Sequence, residues 1–189
     1  MSTPASSVPR SRARLAGCSL RALAATSAVA VSFVGAAPAA QAAGPVPRCE
    51  STDVRLSASV VPGSPGAGSY SEALTVTNAT GHTCYLYGHP GVQRARVHAR
   101  PADRPVGAPA RWTDRRPALV LLEPGGTATA EIRQHSVGAY PDDCRPAATD
   151  ALRIYLPDTR TYVPVPSSGN ACVDPAYVTM GVGVFRPGS

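Results

Sequence analysis

The chain has 189 residues, with 20 prolines, 17 glycines and only 5% aromatic residues. Its formal net charge of +6 arises largely in the first 42 residues, which hold four of the 18 basic residues and none of the 12 acidic ones. The rest of the chain has 14 arginines against those 12 acidic residues, a net charge of +2, which argues against nucleic acid binding driven by overall basicity.

The first 42 residues have the pattern of a secretory signal peptide. Arginines between Arg10 and Arg21 precede the small apolar segment 22–37, and Ala40-Gln41-Ala42 forms a small-x-small cleavage pattern. We therefore expect cleavage near Ala42 and secretion of the mature protein. A lipoprotein-like box ends at Cys18, but it lies before the apolar segment instead of after it, so we disfavour lipidation and expect no membrane anchor.

A short flexible tail, residues 43–48, is expected after the leader, followed by a single domain at 49–189. A chain of this size buries about 70% of its unfolded surface, which is enough for one hydrophobic core.

Period-two alternation recurs along this domain and predicts short strands separated by turns rich in glycine and proline. The predicted strands are 53–61, 71–78, 84–88, 91–99, 118–122, 127–134, 151–156, 161–165 and 177–185. The turns between them include NATG, HPG, EPGG, YPDD and PSSG. This pattern favours an all-β fold, an antiparallel Ig-like β-sandwich of eight or nine strands. LVLLEPGGTATAEI is the clearest predicted hairpin, because proline and glycine at its centre have the backbone preferences of a tight turn.

Four cysteines follow the leader, and an even number in an exported chain indicates two disulfides. They are Cys49, Cys84, Cys144 and Cys172. Four cysteines allow three connectivities. We favour the pairing in sequence order, Cys49 with Cys84 and Cys144 with Cys172, which closes loops that stabilise by about 3.5–4 kcal/mol each in the chain-entropy model.

The segment NATGHTCYLYGHPG places His82, Cys84 and His89 close together in sequence. Soft-metal sites usually need a further ligand at short spacing, and Cys84 is more readily explained as a disulfide partner. We predict no metal site and no cofactor. A metal carrier that uses His82 and His89 remains an alternative.

A basic stripe runs along the strand predicted at 91–99. Arg94, Arg96, His98 and Arg100 alternate with Ala95, Val97 and Ala99, so the basic residues share one face over about 20 Å. Such a stripe has the chemistry to bind phosphate or carboxylate groups of an anionic cell-wall polymer or an acidic protein. The simpler interpretation is the charged solvent face of an edge strand. Few aromatic residues lie beside these arginines, which argues against nucleic acid.

Motifs of known enzyme classes are absent from the sequence: it has no G-x-S-x-G, H-E-x-x-H, P-loop or dinucleotide fingerprint. Asp142-Asp143 is a paired carboxylate, but it follows a Tyr-Pro turn that explains it. We predict no catalytic residues and no enzymatic activity. An extracellular enzyme with an unrecognised site remains an alternative, since a catalytic triad is recognised by its geometry.

Several spaced motifs resemble one family. They are Thr77-Asn78, Thr83-Cys84, Leu86-x-Gly88-x-Pro90-Gly91-Val92, Leu122-x-Pro124-Gly125-Gly126, Cys144-x-Pro146 and Cys172. The chain resembles, over about Cys49 to Val184, the domain of unknown function 4232, found mainly in high-GC Gram-positive bacteria. The resemblance implies an exported β-sandwich with four matched cysteines and no assigned activity. We therefore expect a secreted, disulfide-stabilised binding or structural module at the cell exterior.

Overall fold

The computed structural model describes residues 44–97, 104–113 and 116–188. The predicted signal peptide, with Cys18, lies outside these residues. The described residues form twelve strands: β1 (Val54–Val60), β2 (Ser69–Asn78), β3 (Cys84–Tyr87), β4 (Gly91–Arg96), β5 (Arg104–Pro105), β6 (Arg111–Trp112), β7 (Leu119–Leu122), β8 (Thr127–His135), β9 (Pro146–Tyr155), β10 (Tyr162–Cys172), β11 (Met180–Val182) and β12 (Arg186–Pro187). Two short 3-10 helices, Val137–Ala139 and Asp142–Cys144, lie between β8 and β9.

The strands form three sheets. The large sheet has the order β1-β2-β8-β11-β6, with β12 also paired to β8; the second sheet is β10-β9-β4-β5, and β3 pairs with β7 alone. The pairs are antiparallel apart from β11 and β6, which are parallel. The predicted all-β, antiparallel class is confirmed. Eight of the strands have at least four residues, which agrees with the predicted eight or nine.

One hydrophobic core draws on the inner faces of all three sheets. Leu74 and Ile132 come from the large sheet, Ile154 comes from the second sheet, and Leu86 and Leu122 come from the β3–β7 pair. All five side chains are at least 98% buried, and burying a large aliphatic side chain contributes about 1.5–3 kcal/mol. Sheets that bury their inner faces in a common core fit the predicted sandwich.

The predicted LVLLEPGGTATAEI hairpin is wrong. Its two strands are present as β7 and β8, but β7 pairs with β3 and β8 pairs with β2, so the chain passes from one sheet to another at the Glu123–Gly126 turn. The segment 79–83 makes the same kind of crossing, from β2 to β3. Turn residues fix a local reversal, but the inward-facing side chains decide which strand becomes the partner.

Asn78 holds these two crossings together. Its side-chain amide donates hydrogen bonds to the carbonyl oxygens of Leu122 (2.9 Å) and His82 (2.8 Å), and its side chain is 99% buried. Its backbone carbonyl also accepts a hydrogen bond from Gly125 N–H. A single side chain therefore fixes the position of both crossings.

The PSSG segment, predicted as a turn, lies inside β10. Strand β10 continues to Cys172, and its register against β9 shifts between Pro166 and Gly169, as in a β-bulge. A bulge accommodates a glycine and leaves residues unpaired, which explains how turn-like residues occupy a strand interior. This bulge positions part of the site described below.

The N-terminal tail is shorter than the predicted 43–48. Tyr85 N–H donates to the Pro47 carbonyl, and Cys49 N–H donates to the Tyr85 carbonyl, so the chain is attached to β3 from Pro47 onwards. Arg48 also forms a parallel bridge with Tyr85. The early attachment places Cys49 beside Cys84.

Candidate functional site

Arg94, the first residue of the predicted basic stripe, is fully buried. The prediction that it contributes to an exposed anion-binding face is therefore wrong. It lies on β4 opposite Leu152 of β9, on the same face as the core residue Val92. Alternation places Arg94 and Arg96 on one face, but it does not show where along the strand that face is covered: Arg94 is buried and Arg96 is exposed.

The guanidinium group of Arg94 is enclosed by hydrogen-bond partners from three strands. Its Nε donates to Gln134 Oε1 (3.1 Å), Nη1 donates to the carbonyl (2.7 Å) and hydroxyl (3.0 Å) of Ser167, and Nη2 donates to the Tyr70 hydroxyl (3.0 Å). Glu72 Oε1 lies 3.6 Å from Nη2 and accepts a hydrogen bond from the Ser167 hydroxyl (2.9 Å). We call these five residues the polar layer. A buried charge is tolerated where it is both paired and hydrogen-bonded, and this one is.

Two atoms of the polar layer, Glu72 Oε2 and Gln134 Nε2, are buried without a hydrogen-bond partner in the described part of the chain. Glu72 is 4% exposed and Gln134 is 3% exposed. An unpaired buried polar group costs about 1–3 kcal/mol. The residues of the polar layer therefore do not fulfil all of one another's hydrogen-bonding capacity.

The pKa of Tyr70, the tyrosine of the polar layer, is shifted by its surroundings. Burial of the Tyr70 phenol raises its pKa above the ordinary value, and Glu72 adds to the rise, while the Arg94 charge opposes it. Tyr70 thus keeps its proton at neutral pH and beyond.

Arg96 and Arg104 form the exposed basic pair of this region. They are cross-strand partners on β4 and β5, and both side chains are exposed. Arg96 Nε donates to the carbonyl of Ala148 on β9 (2.7 Å), which anchors the side chain. Both residues line a shallow cleft of about 230 Å³ together with Pro105, Val106 and Val173.

His98 and Arg100, the remaining members of the predicted stripe, lie outside the described residues. The described part of β4 ends at Arg96, and Val97 N–H donates to Asp150 Oδ1 (2.8 Å). Of the four predicted stripe residues, Arg96 is the one that the structure places at the surface. Its partner Arg104 was a basic residue of the following segment, and only the cross-strand register pairs the two.

Both predicted disulfides are present, in the pairing favoured from the sequence: Cys49 with Cys84, and Cys144 with Cys172. The Cys84 sulfur is thus bonded and cannot act as a metal ligand. Within the described ranges, no group of three or more histidine, cysteine, aspartate or glutamate side chains could hold a metal ion. His82 is exposed, and His89 Nε2 is 3.0 Å from the Thr113 carbonyl oxygen.

An exposed aromatic pair accompanies His89. The His89 ring stacks on Trp112 with centroids 5.3 Å apart and an interplanar angle of 13°, and Trp112 is 62% exposed. Strand β6 holds Trp112 at the edge of the large sheet through its parallel pairing with β11. Nothing in the local sequence distinguishes this tryptophan from a core residue, so the pair could not be predicted from the sequence.

The outer face of the β3–β7 sheet is unusually apolar. Tyr87 is 51% exposed, and Leu119 and Leu121 are 59% and 56% exposed, while Val120 and Leu122, which alternate with them, enter the core. The sequence Leu-Val-Leu-Leu carries no polarity alternation, and this face could not be identified from it.

The paired carboxylates Asp142 and Asp143 occupy the second 3-10 helix. Tyr177 donates its phenolic hydrogen to Asp143 Oδ1 (2.6 Å), and this hydrogen bond raises the pKa of Tyr177. Asp158, another turn residue, pairs with Arg48 at 2.6 Å. Asp143 and Asp158 are therefore engaged in structural contacts.

No helix in the described ranges has the length and hydrophobicity that crossing a membrane requires. Two disulfides are typical of proteins that fold in an oxidising, extracellular environment. A search of curated proteins finds no match to the chain. A family model, described as a domain of unknown function, matches residues 49–186. The match covers most of the chain and both disulfides, and the protein belongs to the domain of unknown function family DUF4232.

Proposed function

We propose that the protein is an exported, disulfide-stabilised binding module that holds an anionic polymer of the cell envelope between Arg96 and Arg104. The observation that carries this proposal is the register of β4 and β5, which sets the two arginines directly opposite each other at the surface. Like charges in opposed positions destabilise a sheet by about 0.2–1 kcal/mol. An anionic group bound between them removes that repulsion.

The geometry of the pair supports recognition of a phosphate or carboxylate group. The hydrogen bond to the Ala148 carbonyl uses Nε of Arg96 and not its terminal nitrogens. The salt bridges found among the described residues, Arg48 with Asp158 and Arg94 with Glu72, involve neither Arg96 nor Arg104. Terminal guanidinium nitrogens bind such groups through two parallel hydrogen bonds, with geometric specificity that lysine lacks.

The walls of the cleft fit a ligand that is larger than a free ion. Pro105, Val106 and Val173 contribute apolar surface next to the two cations. Val173 is 43% exposed, although its side chain is apolar. A polymer with alternating charged groups and carbon-rich linkers matches this combination better than an isolated anion.

Secretion is supported by the leader pattern and by the two disulfides. Intact mass spectrometry of the protein recovered from culture medium tests this part of the proposal. We expect a chain that begins near Ala43 and that gains the mass of four hydrogens on reduction. A chain that retains the leader, or that carries a lipid at Cys18, would contradict it.

Binding is tested with poly(glycerol phosphate) as the anionic polymer and with polyglutamate as a mimic of an acidic protein. We expect the phosphate polymer to bind in a salt-sensitive manner, since exposed charges are screened within about 8–10 Å at physiological salt. Arg96→Ala/Arg104→Ala is expected to weaken binding by about tenfold or more, equivalent to about 1.4 kcal/mol.

The charge-matched control is Arg55→Ala/Arg186→Ala, which removes two exposed arginines of the large sheet. The control is expected to bind within about twofold of the parent protein. Equal losses in both double variants would mean that net charge, not the pair, controls binding. If the protein bound polyglutamate but not poly(glycerol phosphate), the partner would be an acidic protein and not the envelope polymer.

A further inference from the structure

A second cleft lies next to the polar layer, apart from the arginine pair. It has a volume of about 460 Å³, and its lining includes Tyr70, Gln134 and Gly169. Tyr70 and Gln134 are cross-strand partners on β2 and β8. Small-molecule sites are typically clefts of about 300–1,000 Å³ with mostly apolar walls and a few placed polar groups.

The amide of Gln134 is oriented by Arg94. Its Oε1 accepts a hydrogen bond from Arg94 Nε, and a reversed amide would place its NH₂ group against another N–H donor. The amide nitrogen is consequently fixed as the group without a partner, within the part of the chain that the structure describes. Its unused N–H bonds can be satisfied only by an acceptor atom brought to it.

The charge balance beside the cleft favours a neutral ligand. The positive charge of Arg94 is matched by Glu72, whose Oε1 is 3.6 Å from Nη2. An anionic ligand would gain no net charge attraction from this buried pair. The cleft therefore differs in its chemistry from the exposed pair of Arg96 and Arg104.

The walls combine apolar surface with hydrogen-bonding groups. Val60, Pro65 and Val137 provide the apolar surface, and Ser69, Ser136 and Asn170 provide hydroxyl and amide groups. Tyr70 contributes an aromatic ring with a hydroxyl group that is already bonded to Arg94. Such a lining suits a ligand that carries several hydroxyl groups, a small apolar group and one strong acceptor.

We propose that this cleft binds an N-acetylated amino sugar, with the acetamido carbonyl accepting a hydrogen bond from Gln134 Nε2. The acetamido methyl group then lies against Val60 and Val137, and the ring hydroxyl groups face Ser136 and Asn170. The amide nitrogen is covered in the free protein, so binding opens the cleft around it.

The test uses the trimer of N-acetylglucosamine and, as matched ligand, cellotriose, which has the same linkage without the acetamido groups. Two-dimensional amide NMR of the full exported domain follows the titrations. We expect saturable shifts at Gly66, Gly68 and Gly169 with the N-acetylated trimer and none with cellotriose. Absent shifts, shifts confined to other regions, or equal shifts with both sugars would overturn the proposal.

Two variants test the site itself. Gln134→Glu keeps the oxygen that accepts from Arg94 but replaces the donor, and it is expected to weaken binding by about fivefold to tenfold, as for one lost hydrogen bond. Ser136→Trp fills the cleft from an exposed position and should leave the polar layer intact. It is expected to abolish the chemical-shift changes, and it tests the site independently of whether Gln134→Glu folds. An unchanged affinity of Ser136→Trp for the N-acetylated trimer would show that the sugar does not bind in this cleft.

Arg96→Ala/Arg104→Ala separates this site from the proposed polymer site. It is expected to bind the N-acetylated trimer with the affinity of the parent protein, even though polymer binding is lost. A parallel loss of sugar binding would place the sugar at the arginine pair and overturn the proposal. Shifts at Gly66 and Gly169 with an acetylated peptide but not with the sugar would show that the cleft recognises a peptide amide, and the sugar assignment would be wrong.

Discussion

A β-carbon on Gly169 would lie 2.6 Å from Nη2 of Arg94, a distance that no real side chain adopts. It would also lie 2.7 Å from Cζ and 2.9 Å from Nη1, so the whole guanidinium group faces the glycine. The guanidinium group has no freedom to withdraw, because four hydrogen bonds to Gln134, Ser167 and Tyr70 fix it. The bulge in β10 thus needs a glycine because of a side chain on β4.

Gly169→Ala is expected to lower the free energy of unfolding by about 1–3 kcal/mol, the usual cost of overpacking an ordered interior. Urea denaturation measures the change. Gly81→Ala is the matched control, because its β-carbon would meet no atom within 4 Å and its φ is not in the left-handed region. The control is expected to be neutral or slightly stabilising. Equal destabilisation by both variants would show that Arg94 does not constrain Gly169.

Arg94→Met is expected to destabilise the fold by about 3–5 kcal/mol, because it leaves Glu72 buried without its positive partner. Arg94→Met/Glu72→Met removes both charges and is expected to recover a large part of that loss. Denaturation of both single variants and the double variant gives the coupling energy. Arg55→Met, at an exposed position, is the control and is expected to change stability by about 0.5 kcal/mol or less. Additive losses in the double variant would mean that the buried pair is not coupled.

Arg104→Glu is expected to separate stability from binding. The change replaces a repulsive cross-strand pair with an attractive one, so the free energy of unfolding should rise by up to about 1 kcal/mol. Binding of poly(glycerol phosphate) should be lost, since the second cation is replaced by an anion. Thermal denaturation and the polymer assay on the same sample test both effects. Lower stability would contradict the close approach of Arg96 and Arg104 inferred from their register.

Several of the longer strands could be predicted because they carry a local signal, whereas β5, β6 and β12 were not predicted. Leu74 and Val76 alternate with polar residues, and glycine or proline follows most strands, so β2 and β8 were located to within two residues. Disulfide pairing in sequence order was also confirmed. The strand positions depend on neighbours in sequence, which is the information that periodicity and turn chemistry contain.

Features that depend on distant partners could not be predicted in this way. Arg94 was assigned to the surface because it alternates with small apolar residues in a basic stripe, and charged outer faces are ordinary in antiparallel sheets. Its partners Glu72, Gln134 and Ser167 come from β2, β8 and β10, and no local pattern links them. The Arg96–Arg104 pair was missed for the same reason, since it depends on the register of two strands.

Removing either disulfide is expected to cost about 2–5 kcal/mol, and the two losses should be similar. The loops closed by Cys49–Cys84 and Cys144–Cys172 span 35 and 28 residues, and the loop-entropy difference between them is only about 0.2 kcal/mol. Denaturation of Cys49→Ala/Cys84→Ala and Cys144→Ala/Cys172→Ala measures both. A difference of about 2 kcal/mol or more would mean that native packing around one bond, not loop closure, dominates its effect.

The raised pKa of Tyr70 predicts a loss of stability at alkaline pH. Burial holds the folded-state pKa above the unfolded value of 10.0, so the folded state binds the phenolic proton more tightly. The resulting stability is fully present below about pH 10 and is lost as pH rises through the folded-state pKa.

Tyr70→Phe should therefore show a smaller fall in unfolding free energy between about pH 9 and pH 11 than the parent protein. The slopes are compared, since the variant also removes the acceptor of an Arg94 hydrogen bond. Tyr177→Phe is the second comparison, because a hydrogen bond to Asp143 raises the pKa of Tyr177 as well. Slopes that are identical in Tyr70→Phe and the parent protein would show that the Tyr70 proton does not stabilise the polar layer.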